Sequence, residues 1–338
     1  MNKFLKILVL VFNICLLTAC GGGTDSLKKE ITVYSSFEED YITSYIEEFN
    51  KEYPDIKINL IRDSSGIIAA KFEAEKENPQ SDVLWGVAST GLVNNEKYFE
   101  PFNYNITNID EKFYDKSQTP KWVGISAWMT AFTFNIPEGE KKGIKIPLSY
   151  ADLLKPEYRD EIVMPNPASS GTGFLTVSAW IQLMGEDKAW KYMDELNKNI
   201  KMYVHSGSAP TRMASQGENI LGIGMGFESL KEENKKMPIK TIFPKEGSGW
   251  EMEIVSIVKK ENIKPEAKIF AEWAISEKAM KLYAQNRGFV TDRRIPPVLK
   301  GYPKELEKQM INNNLMWAAE NRDRILKEWE RRYGKGEN

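Results

Sequence analysis

Residues 166–180 read NPASSGTGFLTVSAW. Two serines, a glycine, a threonine and a second glycine stand immediately before an apolar run. Backbone N–H groups at a helix start lack intrahelical partners and carry partial positive charge. Gly171 and Gly173 let the backbone come close to a ligand, and Ser169, Ser170 and Thr172 add hydroxyl donors. These residue types in this order suit an oxyanion: phosphate, phosphonate or carboxylate. The same residues would also serve as a plain helix cap, and both readings stand at this point. Nucleotide hydrolysis is not indicated. A Walker loop needs G-x-x-x-x-G-K-[ST], and no lysine follows these glycines.

Three further segments share the composition. ITVYSS ends in Ser35 and Ser36, RDSSG holds Asp63, Ser64, Ser65 and Gly66, and VASTG ends in Ser89, Thr90 and Gly91. His205, the single histidine, stands in YVHSGS beside Ser206. Protonated, it would offer a charge-assisted bond to an anion. GIGMGF (222–227) lacks the G-x-G-x-x-G spacing and reads as a glycine-rich strand. One histidine excludes two-histidine zinc motifs, and there is no G-x-S-x-G elbow. The pattern points to binding without catalysis, metal or cofactor. Trp85, Trp122, Trp128 and Trp250 are either cleft walls or core.

The elements that must position these residues follow from periodicity. ITVYSS, IKINLI (56–61) and DVLWGVA (82–88) read as strands. The stretches between and after them read as helices, the first with Phe37, Tyr41, Ile42, Tyr45, Ile46 and Phe49 at helical spacing. A β-α-β-α-β-α order predicts parallel strands with helices on both faces, and ligands beyond the strands' carboxyl ends. WMTAFTFNIP (128–137) reads as a long strand ended by Pro137. A second α/β stretch follows: strand 161–165, a helix from about Thr172 to Met184, a helix over EDKAWKYMDELNKNI, and strands 201–207, 220–229 and PIKTIFP. A β run (251–260) and one long helix from Pro265 come next. The chain thus leaves one half near Phe132 and returns near Val255. This predicts an α/β protein of two lobes, residues 30–130 plus about 255–300 and residues 131–254, joined by crossing strands that act as a hinge. The cleft between them is the natural site. Residues 301–338 read as charged helices packing on the lobes.

The chain begins MNKFLKILVLVFNICLLTAC. A positive start, an apolar stretch and small residues make residues 1–19 a signal peptide, too short to span a bilayer. Leu-Thr-Ala-Cys resembles a bacterial lipobox, which implies lipidation of Cys20 and a flexible tether over 20–29. The protein is expected to be exported and lipid-anchored, in a periplasm or at a cell surface. Cys15 leaves with the signal, so the mature domain has no disulfide and no thiol chemistry. A net charge of −2 argues against a nucleic-acid surface. A monomer is expected.

The strings ITVYSS, RDSSGIIAAKFEAEKENPQSDVLWGVAST and PNPASSGTGFLTVSAWIQLMGEDKAWKYMDELNKNIKMYVHSGSAPTRMASQGE resemble type II solute-binding proteins of bacterial ABC importers, in the ferric-ion, 2-aminoethylphosphonate and sugar-phosphate branch. The resemblance runs from about Ile31 to about Tyr283. It implies a type II periplasmic-binding-protein fold with a ligand cleft between lobes. It further implies capture of a small phosphorylated or phosphonate solute and delivery to a membrane permease. In that reading Ser64, Ser65, Ser169, Ser170, Gly171 and Thr172 hold the oxyanion. Ser35, Ser36, Ser89 and Thr90 close the first-lobe wall, and His205, Ser206 and Glu228 meet the organic part. Ferric-ion binders carry a Tyr-Tyr pair where this chain has Phe227 and Glu228, so iron is the alternative cargo. A secreted phosphate-ester hydrolase is the alternative of another class.

Overall fold

The computed structural model describes residues 29–303 and 305–334. The signal segment, Cys20 and the tether up to residue 28 lie outside the described residues.

The first half opens with β1 (Lys29–Ser35), α1 (Glu39–Glu52), β2 (Ile56–Arg62), α2 (Ser65–Glu75) and β3 (Val83–Ala88). The helix α1 buries Tyr41, Ile42, Tyr45 and Phe49, the apolar stripe of its sequence. Every residue of β3 is buried, as a strand covered on both faces requires. The helix expected after β3 is instead two 3₁₀ segments, Ser89–Gly91 and Val93–Tyr98, interrupted at Asn95. Ser, Thr, Gly and Asn are weak helix formers, and two asparagines fall at the break.

The long strand β4 (Val123–Asn135) is buried along its whole length. It runs straight into α3 (Ile136–Lys142), where Asn135 caps the Glu138 N–H and Pro137 occupies the first turn. Proline here starts a helix, where its missing N–H costs nothing. The second half comprises β5 (Ile162–Pro165), α4 (Gly171–Met184), α5 (Glu186–Leu196), β6 (Ile200–Val204), α6 (Ala209–Ser215), β7 (Leu221–Met225), α7 (Gly226–Asn234) and β8 (Ile239–Ile242). The expected strand 220–229 therefore splits. Phe227 and Glu228 lie in the first turn of α7, not on a strand.

The chain returns in β9 (Trp250–Ile257), followed by α8 (Pro265–Ala274), α9 (Glu277–Ala284) and β10 (Phe289–Val290). The single long helix expected here is broken at Ile275, because Ser276 caps a new helix through the Ala279 N–H. The tail forms α10 (Leu306–Gln309), α11 (Leu315–Glu320) and α12 (Arg322–Tyr333).

The main strand order is β2-β1-β3-β9-β4-β7-β5-β6. The pairs β1–β2, β1–β3, β5–β6 and β5–β7 are parallel, as expected. The crossing strands are not: β9 runs antiparallel to β3 and β4, and β4 antiparallel to β7. β4 pairs with β9 through Met129 and with β7 from Thr130 onward, so one strand serves both halves. One apolar cluster gathers β1, β3, α1 and α8; another gathers β5, α4, α5 and Trp329 of the tail. A small third cluster of Ala88, Trp128, Leu175 and Phe227 lies between them. This is the two-lobed α/β arrangement that the order of elements predicts.

Candidate functional site

The start of α4 is built by local bonds. Ser170 is the N-cap, its Oγ accepting the Gly173 N–H at 3.3 Å, while the Phe174 N–H reaches the Ser170 carbonyl at 3.0 Å. Of the four N–H groups without intrahelical acceptors, those of Gly171 and Thr172 remain. The Thr172 Oγ1 is buried and has no hydrogen-bond partner among the described residues. Ser170 is thus a cap, whereas Thr172 keeps a buried hydroxyl without a partner among the described residues.

The first half meets this helix start at the end of β1 and the beginning of α2. Ser36 Oγ donates to the Gly86 carbonyl at 2.6 Å and lies 2.6 Å from Ser65 Oγ. Ser64 occupies the N-cap position of α2 but makes no side-chain cap bond. The two halves touch directly here. The Gly66 N–H donates to the Ser169 carbonyl at 3.1 Å. A Cβ on Gly66 would lie 2.5 Å from the Ala168 carbonyl oxygen, and one on Gly171 would lie 2.9 Å from Ser65 Cβ. Only glycine permits that approach at either position.

Ser36, Ser64 and Ser65 from one half, and Ser170, Gly171 and Thr172 from the other, line one pocket of about 10 Å³. Trp128 of β4 completes its floor, and its indole N–H is also buried without a partner. The volume suits a single water, so a solute requires the lobes to part. Charged groups close the remaining side. Glu38 pairs with Arg62 at 3.0 Å, and Glu253 of β9 pairs with Arg287 at 3.1 Å while accepting a bond from Ser126 Oγ. Arg287 is fully buried, stacked at 4.6–4.9 Å over the rings of Phe37, Tyr41 and Phe227. Burial raises the Glu253 carboxyl to about 7, against the opposing pull of Arg287.

The other expected site residues lie elsewhere. Ser35 is buried and accepts the Phe37 N–H at 3.2 Å. Ser89 and Thr90 are buried and both donate to the carboxylate of Glu251, each at 2.6 Å. Burial raises the Glu251 carboxyl, and the two hydroxyls partly offset this. Ser169 Oγ donates to the His205 carbonyl at 3.1 Å. His205 itself stands at the exposed rim, its Nε2 2.8 Å from Asp63 Oδ1 across the seam. Burial pushes the Asp63 carboxyl up, but the bonds from His205 and the Ser64 N–H outweigh it and leave it low. Ser206 bonds Ser208 at 2.9 Å. Glu228 is buried, its carboxyl raised by burial, and accepts the Tyr41 hydroxyl at 3.2 Å.

Sequence reasoning missed Glu38, Arg62, Glu251, Glu253 and Arg287. One signal existed: EMEIV places two acids at alternate positions of a buried strand, on one face. Nothing local marks Arg287.

Residues 80–321 match the family described as bacterial extracellular solute-binding protein. A protein of Haemophilus influenzae is 32% identical over 272 residues, 77% of either chain. The Fe(3+)-binding periplasmic protein of Serratia marcescens is 26% identical over 191 residues, 56% of this chain and 54% of that one. Among solved structures, the periplasmic binding protein AfuA of Actinobacillus pleuropneumoniae, with exogenous fructose-6-phosphate bound, is 28% identical. Its TM-score is 0.84, covering 91% of this chain and all of that one. The chain belongs to the bacterial extracellular solute-binding proteins, in the two-lobed type II branch that includes ferric-ion and sugar-phosphate receptors.

Proposed function

We propose that this protein is the receptor of an ABC importer and captures a small phosphorylated or phosphonate solute by closing its lobes. One observation carries the reading. Hydroxyls and a helix N-terminus from both halves converge on one pocket, where Thr172 Oγ1 and the Trp128 N–H lack protein partners. Each buried unpaired donor costs about 1–3 kcal/mol. An oxyanion offers acceptors to both, and the positive end of α4 favours its charge. Ser64, Gly171, Thr172 and Trp128 then hold the oxyanion, with Ser36 and Ser65 lining the same pocket. Ser170 shapes the helix start. His205 at the exposed rim, Ser206 beside it and the buried Glu228 would meet the organic part once the lobes part. The lipid anchor at Cys20 and delivery to a membrane permease belong to the same proposal. The fructose-6-phosphate complex of AfuA supports the solute class.

A thermal-shift panel tests it. Fructose 6-phosphate, 2-aminoethylphosphonate, unphosphorylated sugars and Fe³⁺ would each be added to the purified protein. A phosphorylated or phosphonate compound is expected to raise Tm, and no inorganic phosphate is expected to be released. A shift with Fe³⁺ or plain sugar alone would sink the reading, and sustained phosphate release would favour a hydrolase.

A further inference from the structure

Glu253 lines the same pocket as the start of α4. Gly171, Thr172 and Glu253 line it together, so when the lobes close over a group seated at the start of α4, the Glu253 carboxyl faces the same space. Two like charges facing one small space disfavour each other's ionisation, and in carboxylate pairs one of the two is then held protonated. Resting on the oxyanion reading above, we propose that Glu253 is a specificity-determining residue, sharing one proton with the bound oxyanion. The proton comes from solvent, through either Glu253 or the oxyanion, and forms an O–H···O bond between them. No covalent bond is made or broken.

The surroundings fit this role. Arg287 Nη2 stands 3.1 Å from Glu253 Oε1 as an ion pair without a hydrogen bond, and Ser126 Oγ donates to Oε2. Each carboxyl oxygen keeps a further acceptor position for the shared proton. The charged groups acting on Glu253 are Arg287, from the stretch after α9, Glu38 before α1, and Glu251 on its own strand. Two of the three are acids, and Glu253 is only 3% exposed, so its proton is retained into the neutral range. The solute class implied is an oxyanion whose own proton equilibrium lies near neutrality. A phosphate ester, with a second pKa of about 6, is such a group.

The sign of the pH dependence separates the alternatives. A complex that holds one more proton than its separated parts weakens roughly ten-fold per pH unit above about pH 7. If Glu253 met an ammonium or a hydroxyl instead, affinity would rise as the carboxyl ionised. Calorimetric titration with fructose 6-phosphate or 2-aminoethylphosphonate, from about pH 7 to 8.5, in buffers of different ionisation enthalpy, reads both slope and proton count. The wild type is expected to take up close to one proton with falling affinity. Glu253→Gln is expected to lose both the uptake and the fall. Should that variant not fold, Ser126→Ala withdraws a bond to the ionised carboxyl and should move the onset of weakening to higher pH. Binding without proton uptake, affinity rising with pH, or an onset unmoved in Ser126→Ala would overturn the proposal while leaving the oxyanion reading intact. Failure of both probes to bind would overturn both.

Discussion

Ser170 and Thr172 are neighbours of similar chemistry with separate tasks. Ser170 Oγ is spent on the Gly173 N–H, whereas Thr172 Oγ1 is buried and unpaired. Ser170→Ala should lower stability by about 1 kcal/mol, the usual worth of a cap, visible in denaturant unfolding. Thr172→Val keeps the shape and removes only the hydroxyl. It should leave the unfolding midpoint unchanged or slightly raised, and weaken binding of a phosphorylated solute by about 1–3 kcal/mol. A Thr172→Val protein that binds as the wild type would return this residue to a structural role. The hydroxyls were legible in the sequence because helix starts select Ser and Thr. Their division of labour was not, because the partner that absorbs Ser89 and Thr90 is Glu251, some 160 residues away in the chain.

Among the elements, α2 and α4 meet end to end across the seam, and glycine makes that possible. Gly171→Ala would place a methyl within 2.9 Å of Ser65 Cβ. Each helix should survive, since alanine is the better helix former. The lobes should no longer close. Small-angle scattering is expected to show the variant extended both with and without solute, and compaction on solute addition would contradict this. The strand-helix order of both halves was readable from periodicity and turn residues. The exceptions were set by local chemistry: α7 begins where Met225 ends a strand of only five residues, and Ser276 restarts a helix that looked continuous. The antiparallel crossing of β4 and β9 is a long-range pairing that no local window contains.

At the scale of the molecule, three of the acids buried on or beside the seam resist ionisation. Glu228, Glu251 and Glu253 all have carboxyls raised by burial, Glu253 to about 7 from an ordinary 4.5. The folded protein therefore holds protons that the unfolded chain releases. Their contribution to stability is full below the unfolded value and is lost as pH rises through the folded one. Tm is expected to fall from about pH 5 to about pH 8, and Glu253→Gln should flatten part of that fall. A Tm that climbs over this window would contradict the burial of these acids. The two-lobe plan was visible from the chain's departure in one long strand and its return in another. The charged wall was visible only in part: EMEIV puts two acids on one strand face, whereas Glu38, Arg62 and Arg287 stand singly and carry no periodic signal.

The central claim is that closure captures an oxyanion at the start of α4. Isothermal titration of the purified protein with fructose 6-phosphate and 2-aminoethylphosphonate, set beside Fe³⁺ and fructose, tests it most directly. Saturable one-to-one binding of a phosphorylated or phosphonate compound, weakened in Thr172→Val, is the expected result. Binding of Fe³⁺ or fructose with no response to either oxyanion would contradict it.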